Sequence, residues 1–514
     1  MKLIAIAIPP SMKILLASSE VVPFAKTGGL ADVAGALPRE LEKLGHEVVV
    51  FMPAYQVAKK SNQESNEEIV STATNLEIPI GNELVTGRLL KSSLPQSNVD
   101  LYLVDHEEYF GREGLYGENG SDYADNCERF TFFCRSVLES VRLLQLQPDL
   151  IHCNDWQTGL IPALLKCEYA ENPLYQNIAS IITIHNLAYQ GLFDYEKLAV
   201  TGLDTKFFNW EQMEFHGQLS LLKTGIAFAD SISTVSPTYA VEIQGSEQGC
   251  GLDGILQDRV DCLSGILNGI DVSQWNPETD KFIPANFDSN FDLQSGSPGK
   301  AKCKRDLQTE FKFAVDPDVP LIGIVGRLAE QKGWSLILPI LREWLKAADV
   351  QWVILGTGDP DYHHVLNTLH RLHPDKLGLT LGFSNELAHR IEAGADMFVM
   401  PSRYEPCGLN QMYSMAYGTV PIVRQTGGLA DTVINATQEN IENKTATGFS
   451  FDEFTSAALE AAITKSLRVF KEDRNSWNQL VLNGMKKDWS WTASARKYEE
   501  LYQKTLVRKS VHQP

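Results

Sequence analysis

Two cations in a short, glycine-flanked loop are the first residues of this sequence that could do chemistry. Residues 326–333 read GRLAEQKG and place Arg327 and Lys332 between an apolar run, suited to a buried strand, and a helical pattern. Arg327 offers a planar fork for phosphate oxygens, Lys332 adds a point charge, and a helix start adds unpaired N–H groups. The loop therefore predicts a diphosphate site. The alternative is a surface loop with two solvated cations.

A hexapeptide, TGGLAD, occurs twice, at residues 27–32 and 426–431. Each copy stands just before a helical pattern, and Lys26 precedes the first copy. Glycine pairs let a backbone approach a ligand closely because no Cβ stands in the way. A tight turn would need glycine for conformational reasons alone, but two identical copies favour a ligand. We expect both copies to contact one substrate.

A carboxylate lies in the loop that leads to the second copy. Glu405 follows Arg403 and Tyr404 and precedes Pro406, which restricts the backbone. A carboxylate at this position could stabilise positive charge on a substrate or accept hydrogen bonds from sugar hydroxyls. The alternative is a surface glutamate paired with Arg403, which would contribute little to stability.

Polar residues also follow predicted strands in the first half of the chain. His185 and Asn186 follow one apolar run, and Asp155 and Trp156 follow another. The first pair could donate to a substrate oxygen, and the indole could stack on a sugar face. Each residue also has a structural explanation, because a lone histidine is more often structural and a tryptophan often belongs to the core.

The composition limits the class of function. The 514-residue chain has a net charge of −20, so it carries no basic excess for nucleic acid or an anionic membrane surface. Its eight cysteines form no C-x-x-C pair, which indicates reduced thiols in a cytoplasmic compartment, or a plastid-like stroma in a photosynthetic eukaryote. The sequence lacks the motifs of metalloproteases, P-loops, dinucleotide-binding folds and serine hydrolases. We therefore expect no cofactor and no obligatory metal.

Short apolar runs alternate with helical patterns along most of the chain, which predicts parallel sheets covered by helices. The alternation breaks near residue 268 and then restarts. We predict two Rossmann-like, doubly wound α/β domains, 12–267 and 268–488, with a last helix and tail over 489–514. Residues 1–11 would be a leader or alternative start. Since ligands of such sheets bind beyond the carboxyl ends of strands, we predict that the domains face a deep cleft that holds the substrate.

Seven motifs occur in a characteristic order. They are KTGGLADV (26–33), NDW (154–156), HNLAYQG (185–191), NGID (268–271), GRLAEQKG (326–333), PSRYEPCGL (401–409) and TGGLADTV (426–433). In type and order they resemble the motifs of the bacterial glycogen synthase and starch synthase family, and they span nearly the whole chain from Met12. Residues 152–157, HCNDWQ, differ from the H-x-H-D-W-H of many bacterial members, a difference that bears on acceptor preference.

The resemblance implies a GT-B fold whose last helix crosses back to the first domain. It implies transfer of glucose from ADP-glucose to the non-reducing end of an α-1,4-glucan, either glycogen or a starch-like polymer, with retention of configuration. The catalytic residues it implies are Glu405, His185, Arg327 and Lys332. The donor-binding residues it implies are Lys26, Gly28, Gly29, Asp32, Arg327, Lys332, Phe383, Cys407, Gly408, Leu409, Thr426, Gly427 and Gly428. The acceptor-binding residues it implies are Tyr116, Asp155, Trp156 and Asn186.

Our hypothesis for the reaction is a front-face displacement, in which the acceptor 4-OH attacks from the face that ADP leaves. Arg327, Lys332 and the backbone amides of residues 426–428 would stabilise the charge on ADP. Glu405 and His185 would stabilise the oxocarbenium-like sugar. Two alternatives remain on the residues alone: a related transferase that uses UDP-glucose, and a non-catalytic glucan-binding relative. The polymer and the oligomeric state also stay open.

Overall fold

The computed structural model describes residues 11–61, 68–118 and 120–511. The chain divides into two compact units: the first comprises Met1–Val235, Ala240–Asn268 and Trp491–Pro514, and the second comprises Ser236–Tyr239 and Gly269–Ser490. Of the predicted leader, only Ser11 lies within the described residues.

A nine-stranded sheet forms the centre of the first unit, in the part of the chain that the structure describes. Seven neighbouring strands are parallel, in the order Leu263–Gly265, Ser231–Thr234, Ala179–Ile184, Leu150–Asn154, Lys13–Ala17, Glu47–Pro53 and Asp100–Asp105. Glu83–Ser93 and Val70–Ile80 extend the sheet as antiparallel strands. Short strands outside this sheet are Gly117–Glu118, Ser121–Asp122, Leu192–Phe193, Glu214–Phe215 and Gln218–Ser220.

The burial of these strands follows from their chemistry. Every residue of Leu150–Asn154 and Ala179–Ile184 is buried, as expected for parallel strands that helices cover on both faces. The antiparallel strand Val70–Ile80 alternates between more buried and more exposed residues, because one of its faces meets solvent. The helices that accompany the sheet are Gly29–Lys43, Gln56–Ser61, Glu107–Phe110, Asn126–Leu143, Leu160–Cys167, Leu198–Thr201, Leu221–Phe228, Pro237–Glu242 and Asp253–Asp258.

The last helix, Trp491–Val511, packs on the first unit. Thr492 Oγ1 donates to Glu40 Oε2 at 2.8 Å, and the Tyr502 hydroxyl lies 2.9 Å from His152 Nδ1. Tyr498 and Tyr502 are completely buried. The last helix therefore contributes to the core of the first unit.

The second unit contains a six-stranded sheet of described residues in which all neighbouring strands are parallel. Its order is Leu377–Leu381, Gln351–Gly356, Leu321–Val325, Met397–Met400, Val420–Arg424 and Phe449–Phe451. Successive residues of one strand enter different apolar clusters: Trp352 packs in one and Val353 in the other. This alternation is what a sheet with helices on both faces requires. Its helices are Pro298–Glu310, Trp334–Ala347, Pro360–Leu372, Asn385–Gly394, Asn410–Ala416, Gly427–Thr432, Gln438–Glu442, Ser456–Glu472 and Arg474–Met485.

Each sheet has a point at which the strand order reverses. In the first unit Lys13–Ala17 pairs with Glu47–Pro53 on one side and Leu150–Asn154 on the other. In the second unit Leu321–Val325 pairs with Gln351–Gly356 and Met397–Met400. Loops that leave two such strands in opposite directions open a crevice at their carboxyl ends, where ligands of these folds bind.

Candidate active site

Lys332 and Glu405 meet at the reversal point of the second sheet. Lys332 lies in the loop after Leu321–Val325, and Glu405 lies in the loop after Met397–Met400. Lys332 Nζ is 2.6 Å from Glu405 Oε2, and Ser402 Oγ donates to the same oxygen at 2.9 Å. Only 9% of the Glu405 side chain is exposed, against 26% for Lys332. Two of the four predicted catalytic residues therefore form one ion pair.

Arg403 does not pair with this carboxylate. Its guanidinium lies 3.1 Å from Glu330 Oε1 at the surface, so the interpretation of Glu405 as a surface partner of Arg403 is wrong. Gln331 joins the two loops instead, because its amide donates to the Tyr404 carbonyl and its oxygen accepts from Arg327 Nη2, both at 3.0 Å. Arg327 is exposed and held at its tip by this bond.

The second TGGLAD copy packs against the backbone of the Glu405 loop. Gly427 has a φ of +45°, and a Cβ there would lie 2.0 Å from the Glu405 carbonyl oxygen. A Cβ on Gly428 would lie 2.0 Å from the Cys407 carbonyl oxygen. Protein packing alone therefore requires both glycines.

Two of the three backbone amides predicted to bind the diphosphate are committed to the protein. The Gly428 N–H donates to the carbonyls of Glu405 and Pro406, at 3.1 and 3.2 Å, and the Thr426 N–H donates to Arg424 at 3.0 Å. The hypothesis that these two amides stabilise a departing diphosphate does not fit this arrangement. The diphosphate role of Arg327 and Lys332 stays a prediction.

The remaining predicted donor residues of the second unit lie around these loops. Cys407 is buried and forms no disulfide, Gly408 turns the chain with a φ of +68°, and Leu409 precedes the helix Asn410–Ala416. Phe383 follows the strand Leu377–Leu381 and is 91% exposed. So exposed a ring has a free face on which a flat ligand could stack.

In the first unit a carboxylate that the sequence analysis did not single out organises the first TGGLAD copy. Glu20 accepts from the Thr27 hydroxyl at 2.6 Å, the Gly28 amide at 3.2 Å and the Tyr116 hydroxyl at 2.6 Å. Lys26 extends away from this carboxylate and pairs with Asp32 at 2.7 Å. No described atom lies within 4 Å of a Cβ built on Gly28 or Gly29. The first copy is therefore open where the second is packed.

His185 is held neutral by its surroundings. The Asn154 amide donates to the Ala17 carbonyl at 3.0 Å, so its oxygen, 2.9 Å from His185 Nε2, accepts the ring proton. Burial, with His152 nearby, lowers the pKa of His185 to about 3. The proton on Nε2 leaves Nδ1 as an acceptor, so His185 can receive a hydrogen bond from a sugar hydroxyl but does not donate from that nitrogen.

Asp155 is tied to the same strand end. Its Oδ1 accepts from the His185 backbone N–H at 2.7 Å, and its φ is +56°, a value uncommon for residues other than glycine. Burial raises the pKa of Asp155 to about 7, although backbone hydrogen bonds oppose that rise. A non-glycine residue in this conformation, with a perturbed pKa, is typical of a functional position.

Trp156 packs as part of the core. It is 8% exposed, its ring centroid lies 4.9 Å from that of Phe130 and 5.9 Å from that of Phe193, and the backbone of Gly191 lies against it. Tyr116 is half-buried, and its ring centroid lies 6.5 Å from that of Trp156. The stacking of Trp156 on a sugar stays a prediction. Asn186 uses its oxygen to accept the Ala188 N–H at 3.1 Å.

Comparison with known proteins identifies the family. Residues 13–258 match the model of the starch synthase catalytic domain, and residues 307–480 match that of glycosyl transferases group 1. A glycogen synthase of Rhodopirellula baltica is 46% identical over 96% of this chain and 98% of its own length, and one of Anaeromyxobacter dehalogenans is 48% identical over 96% and 99%. The chain belongs to the glycogen synthase family.

Solved structures of related proteins extend this result. The catalytic domain of starch synthase IV from Arabidopsis thaliana, bound to ADP and acarbose, is 32% identical with a TM-score of 0.87, over 97% of this chain and all of that one. A sucrose-phosphate synthase from Thermosynechococcus elongatus, at 17% identity and a TM-score of 0.57, shares the fold over 96% of this chain and 99% of its own. The predicted family and the predicted α/β fold of the GT-B class are confirmed.

Within the described ranges, no group of three or more histidine, cysteine, aspartate or glutamate side chains is placed to hold a metal ion. None of the helices that the structure describes combines the length and apolar character needed to span a bilayer. The eight cysteines all lie within the described ranges, and none of them forms a disulfide.

Proposed function

We propose that this glycogen synthase family member extends an α-1,4-glucan by transferring glucose from ADP-glucose to the non-reducing chain end, with retention of configuration. Family membership carries the reaction class. The Arabidopsis relative, which holds ADP and the oligosaccharide analogue acarbose, supports both substrates. ADP is the product that such a transfer releases.

The observation that carries the mechanism is the contact between Lys332 and Glu405. In the transition state the sugar gains positive charge while the leaving diphosphate gains negative charge. The carboxylate of Glu405 and the ammonium of Lys332 lie 2.6 Å apart. The carboxylate would stabilise the sugar's positive charge, and the ammonium would stabilise the negative charge on the neighbouring diphosphate. Lys332 uses one of its three N–H donors on Glu405, so two remain for diphosphate oxygens.

The direction of proton transfer follows from the neighbouring groups. In the front-face route the leaving phosphate takes the acceptor proton, so no protein side chain has to act as a general base. Glu405 is held by Ser402 and Lys332 and stays in place to stabilise the developing positive charge. His185, neutral and accepting at Nδ1, would orient a hydroxyl of the transferred glucose.

The first TGGLAD copy would contact the donor through its open backbone. The absence of a packing reason for Gly28 and Gly29 supports a ligand there. Lys26 would exchange its partner Asp32 for a donor phosphate. Asp155, Tyr116, Trp156 and Asn186 would contact the acceptor, directly or through the loops they hold.

We further propose that the reaction needs no metal, since Arg327 and Lys332 supply the positive charge that a divalent ion would otherwise bring to the diphosphate. Eight cysteines without a disulfide support a reducing, cytoplasmic location.

One assay tests the donor, the acceptor and the metal together. ADP-glucose or UDP-glucose, labelled in the glucose, is incubated with the purified chain and glycogen in buffer that contains EDTA. We expect label to enter the polymer from ADP-glucose at least ~10 times faster, which corresponds to ~1.4 kcal/mol of discrimination. An exo-hydrolase specific for α-1,4 links at non-reducing ends should then release the label. Preference for UDP-glucose, or resistance of the label to this hydrolase, would contradict the proposal.

A further inference from the structure

A cavity of about 780 Å³ lies in the first unit, at the opposite edge of the sheet from Asp155 and His185. Its lining includes Asp230 and Cys262, which immediately precede the strands Ser231–Thr234 and Leu263–Gly265. The cavity therefore opens at the amino ends of parallel strands, whereas Asp155 and His185 follow carboxyl ends. A strand of six residues places its amino end roughly 20 Å from its carboxyl end. The cavity is a different place from the candidate active site.

Positive charge is concentrated in this cavity. Among the described residues of its lining, four are cationic, Lys166, Arg259, Arg508 and Lys509, and one is acidic, Asp230. The chain as a whole has a net charge of −20. A local excess of cations in such a protein needs an explanation, since like charges held together repel one another.

Arg259 and Arg508 both donate hydrogen bonds to neutral groups. The Arg259 guanidinium donates to three carbonyls at the end of the helix Leu221–Phe228 and just beyond it, at 2.6–2.9 Å. Arg508, on the last helix, donates to Ser231 Oγ at 2.7 Å and to the Asp261 carbonyl at 2.6 Å. Carbonyls and hydroxyls fix a guanidinium in place without cancelling its formal charge.

The single acid of the lining is largely occupied. Asp230 Oδ2 accepts from the Ser180 N–H at 2.8 Å and from its hydroxyl at 3.0 Å, and Lys166 Nζ lies 3.3 Å from Oδ1. Lys509 makes no hydrogen bond or ion pair with the residues that the structure describes. One carboxylate thus faces four cations, and the cavity has a net positive charge.

We propose that this cavity binds a small organic phosphate of the sugar phosphate class. Arginine and lysine together are the side chains that recognise phosphate oxygens. The volume lies in the usual range for a small-molecule site and far exceeds what one inorganic phosphate would fill. The rest of the lining, with the apolar Leu165 and the amide of Gln176, suits the carbon skeleton and hydroxyls of a sugar.

Titration calorimetry tests the proposal on the full chain, with saturating ADP to occupy the candidate active site. The probes are fructose 6-phosphate, inorganic phosphate and unphosphorylated fructose at low ionic strength. The variants are Lys509→Gln, which removes a charge without breaking a contact, and Lys166→Gln. Lys504→Gln, an exposed change on the same helix, is the matched control. Thermal melts of each variant check that it folds.

We expect saturable 1:1 binding of fructose 6-phosphate in the presence of ADP and none of fructose. Each of Lys509→Gln and Lys166→Gln should weaken binding about tenfold, the size of one charge-assisted hydrogen bond, and Lys504→Gln should leave it unchanged. Absence of saturable binding would overturn the proposal, and so would an equal loss in Lys504→Gln or competition with ADP. Equally tight binding of inorganic phosphate would overturn the sugar phosphate assignment.

Discussion

The same hexapeptide, TGGLAD, should respond in opposite ways to one substitution at its two positions. Gly427→Ala places a methyl group 2.0 Å from a backbone carbonyl, at a residue whose φ is +45°. Gly28→Ala places it where no described atom lies within 4 Å, at a φ of −150° that any residue adopts. The first change should destabilise the fold, and the second should affect the reaction.

The magnitudes follow from these distances. At Gly427 the backbone must move by more than an ångström to reach an ordinary contact, and overpacking of this kind costs ~1–3 kcal/mol. The left-handed conformation adds ~1–2 kcal/mol for a residue with a Cβ. The total of about 2–5 kcal/mol should lower the Tm of the second unit by roughly 4–20 °C, at ~2–4 °C per kcal/mol for a unit of this size. Gly28→Ala should change stability by no more than ~0.5 kcal/mol.

Thermal melts and donor kinetics together check this prediction. Gly28→Ala should keep the wild-type Tm and raise the KM for ADP-glucose at least tenfold, because the methyl group occupies the space through which the donor phosphates approach. Gly254→Ala, also open and without a left-handed φ, is the control and should change neither quantity. Wild-type kinetics in Gly28→Ala would refute the ligand role of the first copy. A wild-type Tm in Gly427→Ala would refute the packing role of the second.

Two further predictions concern single side chains. Lys332→Met removes the cation beside Glu405 and should lower kcat by ~10²–10³. The control Lys346→Met, in an exposed ion pair, should leave kcat unchanged. Equal activity of the two variants would contradict the role of Lys332. Burial lowers the pKa of His152 to about 3, so between pH 7.5 and 5 the unfolded chain binds a proton that the folded chain does not, and stability falls by ~2 kcal/mol through this residue alone. In parallel denaturant titrations, His152→Gln should lose less stability than wild type over that pH range. The exposed control His364→Gln should lose as much as wild type. Identical pH dependence of all three proteins would contradict the lowered pKa of His152.

Apolar runs made much of the fold predictable. The strand Leu321–Val325 is apolar throughout, as expected for a parallel strand that helices cover on both faces. The strand Leu150–Asn154 is also fully buried, although it includes the polar His152 and Asn154. The strand Phe449–Phe451 was not predicted, since three residues carry no periodic signal. The polar, alternating pattern of residues 62–97 predicts a strand-rich insertion, and the strands Val70–Ile80 and Glu83–Ser93 lie within it. Their place beside Asp100–Asp105 depends on tertiary contacts that no local pattern specifies.

The candidate site was predictable by residue but not by contact. The motifs identify Lys332 and Glu405, yet their pairing arises because two loops leave neighbouring strands at one reversal point. Glu20 lies in none of the motifs, and the hydrogen bond that it accepts from Thr27 forms only when the chain turns back on itself. The proton position on His185 depends on how a neighbouring strand orients the Asn154 amide, which sequence does not encode locally.

The central claim is that Glu405 acts on the sugar while the neighbouring cations hold the diphosphate. Measuring both transfer from ADP-glucose and calorimetric ADP affinity in Glu405→Ala and the near-isosteric Glu405→Gln separates these roles most directly. We expect transfer to fall by at least ~10³ in both variants, as for loss of a group that contacts the developing charge, with the ADP Kd within about threefold of wild type, since Lys332 keeps its charge. Full transfer activity in Glu405→Ala, or a loss of ADP binding that matches the loss of transfer in a variant that melts like wild type, would contradict the account.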